Sequence, residues 1–338
     1  MSYEIIGITV LWIFLYGYLI VASIDFGAGF FAFYAKMTKK DHIINQLISR
    51  YLSPVWEVTN VFFVFFFVGL VGFFPDAAYY YGSALLVPGS IAIVLLAIRG
   101  SFYAFENYGS KKSNLYMFLY GATGLLIPAS LSIALTLSEG GFIVEKNGEV
   151  SLLLNALLTS PYSWSVVFLA IVSVLYISST FLTFYAARAD DKPALKLVKN
   201  YALFWSVPTI IASLTTFIAL SQHNPRHYNE MMELWSMFGL SVGFFMIAMW
   251  LIFQGKYYGL AFISVMLQFF FAFFGYGWAH LPYLLDPYIT IYENATHESM
   301  GIALIIAFIA GLCLLVPSLL LLMKMFLFDA DYVKGEKS

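Results

Sequence analysis

The sequence predicts an all-α polytopic membrane protein: nine transmembrane helices as two four-helix bundles plus one peripheral helix, N-terminus outside, C-terminus cytoplasmic. Three observations carry that reading. Of the 338 residues, 61% are hydrophobic and 11% charged, with a mean hydropathy of +0.83, too little polar surface to cover a water-soluble globule. The apolar runs are about 20 residues or longer, enough for an α-helix to cross a hydrocarbon core of roughly 30 Å, and no train of short alternating strands suggests a barrel. The basic residues gather on alternate connections, as they do when the loops of one side face the cytoplasm.

The first span, 5–35, starts almost at Tyr3 with nothing basic before it, so it reads as a retained helix and not as a cleaved signal. It is longer than a crossing needs and is expected to project past the membrane. Spans two to four follow at 52–74, 80–105 and 115–138, completing a first bundle over 1–138. An external connection, 139–161, leads to spans five to eight at 162–187, 200–222, 233–254 and 258–283, the second bundle over 162–283. The remainder, 284–338, holds an external loop, the ninth span at 300–327 and a cytoplasmic tail. Phe33-Tyr34-Ala35 and Phe184-Tyr185-Ala186 end spans one and five alike, a thin trace of a parallel duplication. Pro88, Pro128, Pro208 and Pro317 fall inside spans and are expected to kink or locally open them.

Alternation of the spans puts fifteen of the seventeen Lys and Arg on one side, leaving only Lys146 and Arg226 opposite. The positive-inside rule makes that side cytoplasmic. The two outer connections carry Glu139, Glu145, Glu149, Asp286, Glu293 and Glu298.

Against this apolar background Asp25 stands out, in the first span and followed by Gly27 and Gly29, which allow close packing or bending beside the acid. An ionisable side chain there is a functional-site candidate, because an ionised aspartate at a helix centre costs roughly 2.5–3.5 kcal/mol on insertion scales. Span two opens Ser53-Pro54-Val55-Trp56-Glu57-Val58-Thr59-Asn60, with Glu57 and Asn60 on one helix face. Asp25 lies ~16 Å along a helix from Lys36, and Glu57 ~10 Å from Arg50, so both acids belong to the cytoplasmic half or near the midplane. With Glu106 at the inner end of span three, these acids form a candidate proton-entry path, bridged by Thr59 and Asn60. Trp56 is a packing residue beside the path. Arg99 reads as an inner-interface anchor; the competing reading pairs it with Asp25 and makes the acid structural.

No catalytic, cofactor-binding or metal-binding residue is expected in this chain. A single cysteine, Cys313, excludes a disulfide framework, a Cys-x-x-Cys metal site and a covalent haem motif. His42, His223, His227, His280 and His297 lie in loops or at a span end, not mid-helix where a bilayer haem needs its ligand. His223 and His227 are four apart, on what reads as a short solvated outer loop.

Asp25-Phe26-Gly27-Ala28-Gly29, Pro54-Val55-Trp56-Glu57, and Arg99 with the tail from Phe102 to Asn107 together resemble subunit II of cytochrome bd-type quinol oxidase. Length, nine spans and Trp278-Ala279-His280-Leu281-Pro282-Tyr283 at the outer end of span eight extend the resemblance over the whole chain. It implies a terminal oxidase of the bacterial cytoplasmic membrane, reducing dioxygen to water with electrons from quinol. The haem-bearing subunit I would hold two haems b and one haem d together with the quinol site. This chain would be its haem-free companion, carrying proton uptake along Asp25 and Glu57, beside membrane lipid and a small single-helix subunit. Glu57 keeps the carboxyl where some relatives carry Asp, one methylene longer. From another class, a proton-coupled secondary transporter would also place a carboxyl inside the membrane.

Overall fold

The computed structural model describes residues 2–108 and 114–326, apart from the side chains of 46, 49–58, 102–108, 322, 323, 325 and 326. It is helical almost throughout. The first half holds α1 (Tyr3–Met37), α2 (Asp41–Phe73), α3 (Pro75–Ala84), α4 (Leu86–Tyr108) and α5 (Asn114–Ser138). A hairpin of β1 (Ile143–Lys146) and β2 (Glu149–Leu152) and the single turn α6 (Leu154–Thr159) lead into the second half. That half holds α7 (Pro161–Arg188), α8 (Lys192–His223), α9 (Pro225–Glu233), α10 (Trp235–Gln254) and α11 (Tyr258–His280). A small antiparallel pair, β3 (Tyr283–Leu285) and β4 (Ile289–Thr290), precedes α12 (Glu298–Phe326). Among the described residues, seven helices are long and apolar enough to cross a membrane, or up to eight if α2 and α3 form one bent span.

Several boundaries differ from those the hydropathy suggests. Helix α2 starts at Asp41, eleven residues before the apolar run, because a polar helical turn continues an apolar helix at no backbone cost. The chain then turns by 119° between α2 and α3, at Phe74, whose φ −134° and ψ 70° leave the helical region. Pro75 opens α3, where a missing N–H is tolerated. The span read as 80–105 is therefore two elements, α3 and α4. Pro88 stands in the first turn of α4 and needs no kink, whereas Pro128, Pro208 and Pro317 lie within α5, α8 and α12. The loops also carry structure that composition does not show, the two hairpins and α6.

Short local signals start the second-half helices. Ser160 Oγ accepts from Ser163 N–H ahead of Pro161, Asp191 Oδ1 accepts from Ala194 N–H, and Asn224 Oδ1 accepts from His227 N–H ahead of Pro225. Each pairs an N-cap acceptor with a proline in the first turn, a combination worth about 1 kcal/mol per cap. Gly255, at φ +74°, ends α10 in the left-handed conformation that glycine adopts without a Cβ penalty.

The centre of the molecule is α1 against α7. Gly27 makes the approach possible: a Cβ there would meet Ser178 Cβ at 2.3 Å, and Ser178 Oγ donates to the Ile24 carbonyl across the interface. Around it α1 also packs on α2 and α5, α7 packs on α5, α8 and α11, and α10 packs on α11. Phe14 stacks on Phe65 and meets Phe308 edge-on, which seats α12 on α1 and α2. Only 6% of the apolar window of α12 is buried, against 67% for α7, so α12 lies at the edge.

Candidate functional site

Asp25 is buried in α1 at 2% exposure and faces Arg99 of α4, itself 1% exposed. Arg99 Nε donates to Asp25 Oδ2 at 2.9 Å. Its Nη2 donates to the Asp25 carbonyl at 2.6 Å, and its Nη1 to the Tyr120 carbonyl at 3.0 Å and to Thr123 Oγ1 at 3.4 Å. The guanidinium also lies 4.3 Å from the Tyr120 ring centroid and 5.3 Å from that of Phe26. Small residues make the room. A Cβ on Gly29 would come within 2.9 Å of Arg99 Nη1 and of the Tyr120 carbonyl, and one on Gly124 within 2.2 Å of the Phe26 carbonyl. Burying both charges costs several kcal/mol per ion, which only a close pair with further hydrogen bonds offsets. Here the guanidinium has a carboxylate, two carbonyls, a hydroxyl and two ring faces.

Arg99 thus has the partner that the competing reading gave it, Asp25. The sequence places it near an apparent helix end, but α4 runs on to Tyr108, so Arg99 sits inside the bundle. On α2, Thr59 is buried and Asn60 half-buried. The side chains of Trp56, Glu57 and Glu106 lie outside the described residues, on the helical segments of α2 and α4.

The family model for cytochrome bd terminal oxidase subunit II matches residues 3–326. The chain belongs to that family. It is 32% identical, over 98% of both chains, to the putative cytochrome bd menaquinol oxidase subunit II of Bacillus subtilis strain 168. It also resembles a chain of the solved bd oxidase from Geobacillus thermodenitrificans, with 58% identity, a TM-score of 0.84, and coverage of 97% of this chain and 100% of that one. These matches favour the oxidase reading over the transporter. As a bd oxidase subunit II, the chain is an integral membrane component of a quinol oxidase complex with a subunit I partner.

A second polar cluster in this subunit II, at the loop-rich end, escapes sequence reasoning. Glu139, just beyond α5, His227 on α9 and His280 at the end of α11 are all buried. His227 Nδ1 lies 2.8 Å from Glu139 Oε1, and His280 Nδ1 lies 3.6 Å from the same oxygen. Tyr276 donates its hydroxyl to that oxygen, and Asn224 Nδ2 donates to Oε2 at 2.9 Å. Asn224 also donates to Asp286 Oδ2, which Arg226 pairs at 3.0 Å. Burial pushes the Glu139 carboxyl up, but its polar neighbours His227, His280 and Tyr276 prevail and bring it down to about 2.

The solvated His223 and His227 pair is therefore corrected. His223 is stacked between Phe142 and Tyr162, with its Nε2 3.1 Å from the Gly140 carbonyl, and His227 is fully buried. The reason is that the segment forms α9 and packs on α8 and α11 instead of looping into solvent. The available signal was the chain turn at Glu139-Gly140-Gly141, where Gly140 at φ +77° leaves no space for a Cβ against the Asp286 carbonyl.

Proposed function

We propose that this chain is the haem-free, non-catalytic subunit II of a bacterial bd-type quinol oxidase and delivers protons from the cytoplasm toward the partner's haems. The family match supports the subunit II reading, and the buried Asp25, whose pairing with Arg99 also fits a structural acid, is the group on which proton delivery is to be tested. Glu57, with Thr59 and Asn60 along α2, would lead from the cytoplasmic end to Asp25, and Glu106 on α4 would be a further acid near the entrance. Trp56, Gly27 and Gly29 would pack the route. Arg99 also donates to two carbonyls and a hydroxyl, so the position of the guanidinium does not depend on the Asp25 carboxyl alone.

In the membrane we propose nine spans, with α2 and the full length of α4 completing the set. The N-terminus lies outside and the C-terminus in the cytoplasm. Helices α1, α2, α4 and α5 form one bundle, α7, α8, α10 and α11 the other, and α12 the periphery. The loop-rich end is then external. The positions of the five histidines support a chain without haem: His227 and His280 sit at helix ends and face Glu139. Exposed Val64, Val68, Ile93 and Val94 supply apolar surface for subunit I or lipid, and a small single-helix subunit would complete the complex. The name of the Bacillus subtilis relative supports menaquinol as electron donor. Protons released from quinol outside and taken up from inside would charge the membrane without a pump.

The complex purified through this chain is expected to show a haem d absorbance band and to contain subunit I; a colourless oligomer refutes the reading. Asp25→Asn and Glu57→Gln are expected to slow quinol oxidation at unchanged haem content. Normal turnover in both variants removes these acids from the path.

A further inference from the structure

We infer that Glu139, His227 and His280 bind a divalent transition-metal ion, with Zn2+ the best fit, which clamps the ends of α5, α9 and α11 together. Among the described residues this is the one group of three or more His, Cys, Asp or Glu side chains whose ligand atoms converge, all within 4.8 Å of one another. Tetrahedral Zn2+ with bonds of about 2.0–2.2 Å holds its ligand atoms ~3.4 Å apart. The 2.8 Å and 3.6 Å separations of the two Nδ1 atoms from Glu139 Oε1 bracket that edge, and the widest spacing in the group, up to 4.8 Å, has to close by ring rotation as the ion enters.

The hydrogen bonding also calls for a cation. His227 Nε2 lies 3.1 Å from the Tyr276 carbonyl, which can only accept, so Nε2 is the donor there and Nδ1 is the nitrogen turned toward Glu139. The backbone carbonyl thus fixes the tautomer in the way that partners beyond the ligands commonly orient metal-bound histidines. The contact of that nitrogen with a carboxylate oxygen at 2.8 Å calls for a positive species, a proton or a metal ion.

A proton on His227 would cure that contact alone. It would do nothing for His280, which is 6% exposed and has no hydrogen-bond partner for either ring nitrogen among the described residues. Buried imidazoles are rarely left so. The Arg226 guanidinium is paired with Asp286, and Glu139 is linked to that pair through Asn224. Asn224 on Glu139 Oε2 would orient the carboxylate, and the fourth position is open to Tyr276 or water. Two imidazoles and one carboxylate suit Zn2+ among the first-row ions.

The test uses the whole oxidase complex, incubated with Zn2+, desalted, and analysed by inductively coupled plasma mass spectrometry. About one Zn2+ per complex is expected. His280→Gln and Glu139→Gln, each verified as assembled by its haem spectrum, should lower retention at least ~10-fold. Stripping the wild-type complex with a chelator should lower its melting temperature, and Zn2+ should restore it. A wild-type complex that retains no Zn2+, or variants that retain it as wild type does, overturn the site in favour of a shared proton or a metal bound elsewhere. Should neither variant assemble, zinc-edge X-ray absorption of the wild-type complex decides: two imidazoles at about 2.0–2.1 Å support the site, and a shell lacking imidazole refutes it.

Discussion

Arg99 and Asp25 are 74 positions apart in the chain and meet with almost no exposure to solvent. Removing one member leaves the other charge buried alone, at roughly 3–5 kcal/mol, whereas an apolar pair of similar volume is often neutral or better. Arg99→Met is therefore expected to lower the melting temperature of the complex, and Asp25→Leu with Arg99→Met to restore it. Quinol oxidation should stay low in the double variant; wild-type turnover there would show that the carboxyl only balances charge. Asp25 was legible in the sequence because an acid in an apolar run is conspicuous. Its partner was legible only as an alternative, since Arg99 near the apparent end of a hydrophobic window looks like any interfacial arginine. Gly27 belongs to the same scale. Gly27→Ala overpacks the contact with Ser178 and should cost about 1–3 kcal/mol, read as a fall in melting temperature that Ser178→Gly partly recovers.

At the scale of elements, the hydrophobic windows locate the long helices well, because twenty apolar residues in a row have few alternatives in a bilayer. They locate the ends poorly. Helix α2 extends through a polar segment with no hydropathy signal, and the break at Phe74 depends on a local backbone choice before Pro75. Helix α9 is the sharper case. Pro225 to Glu233 reads as a polar loop, yet its N-cap, Asn224, also reaches Glu139 and Asp286, and that contact draws His227 inside. Asn224→Ala should lose about 1 kcal/mol of capping and a further ~1–3 kcal/mol for buried carboxylate oxygens left short of a donor. A thermal melt of the haem-bearing complex reads the sum.

Across the whole molecule, the charge asymmetry of the loops and the count of apolar windows support the proposed topology, while the side-chain clusters depend on contacts between distant segments that no window reports. The proposed orientation is open to direct measurement. In a Cys313→Ser background, Lys146→Cys, in the β1–β2 hairpin, should react with a membrane-impermeant maleimide applied from outside. Lys196→Cys, near the start of α8, should react only after permeabilisation. The reverse pattern would invert the molecule.

The bent helix α3 has a bearing on how the protein is made. Its tyrosines are held by chain that comes much later: Tyr80 Oη donates to Glu145 Oε2, Tyr79 Oη to the Gly148 carbonyl, and Tyr81 Oη to the Leu284 carbonyl. All of these acceptors are synthesised after α3, and the last arrives about two hundred residues afterwards. In the proposed orientation, the lid over the external end closes only once the eighth span has been inserted, so ribosome-bound chains ending before Leu284 should expose α3 to external protease.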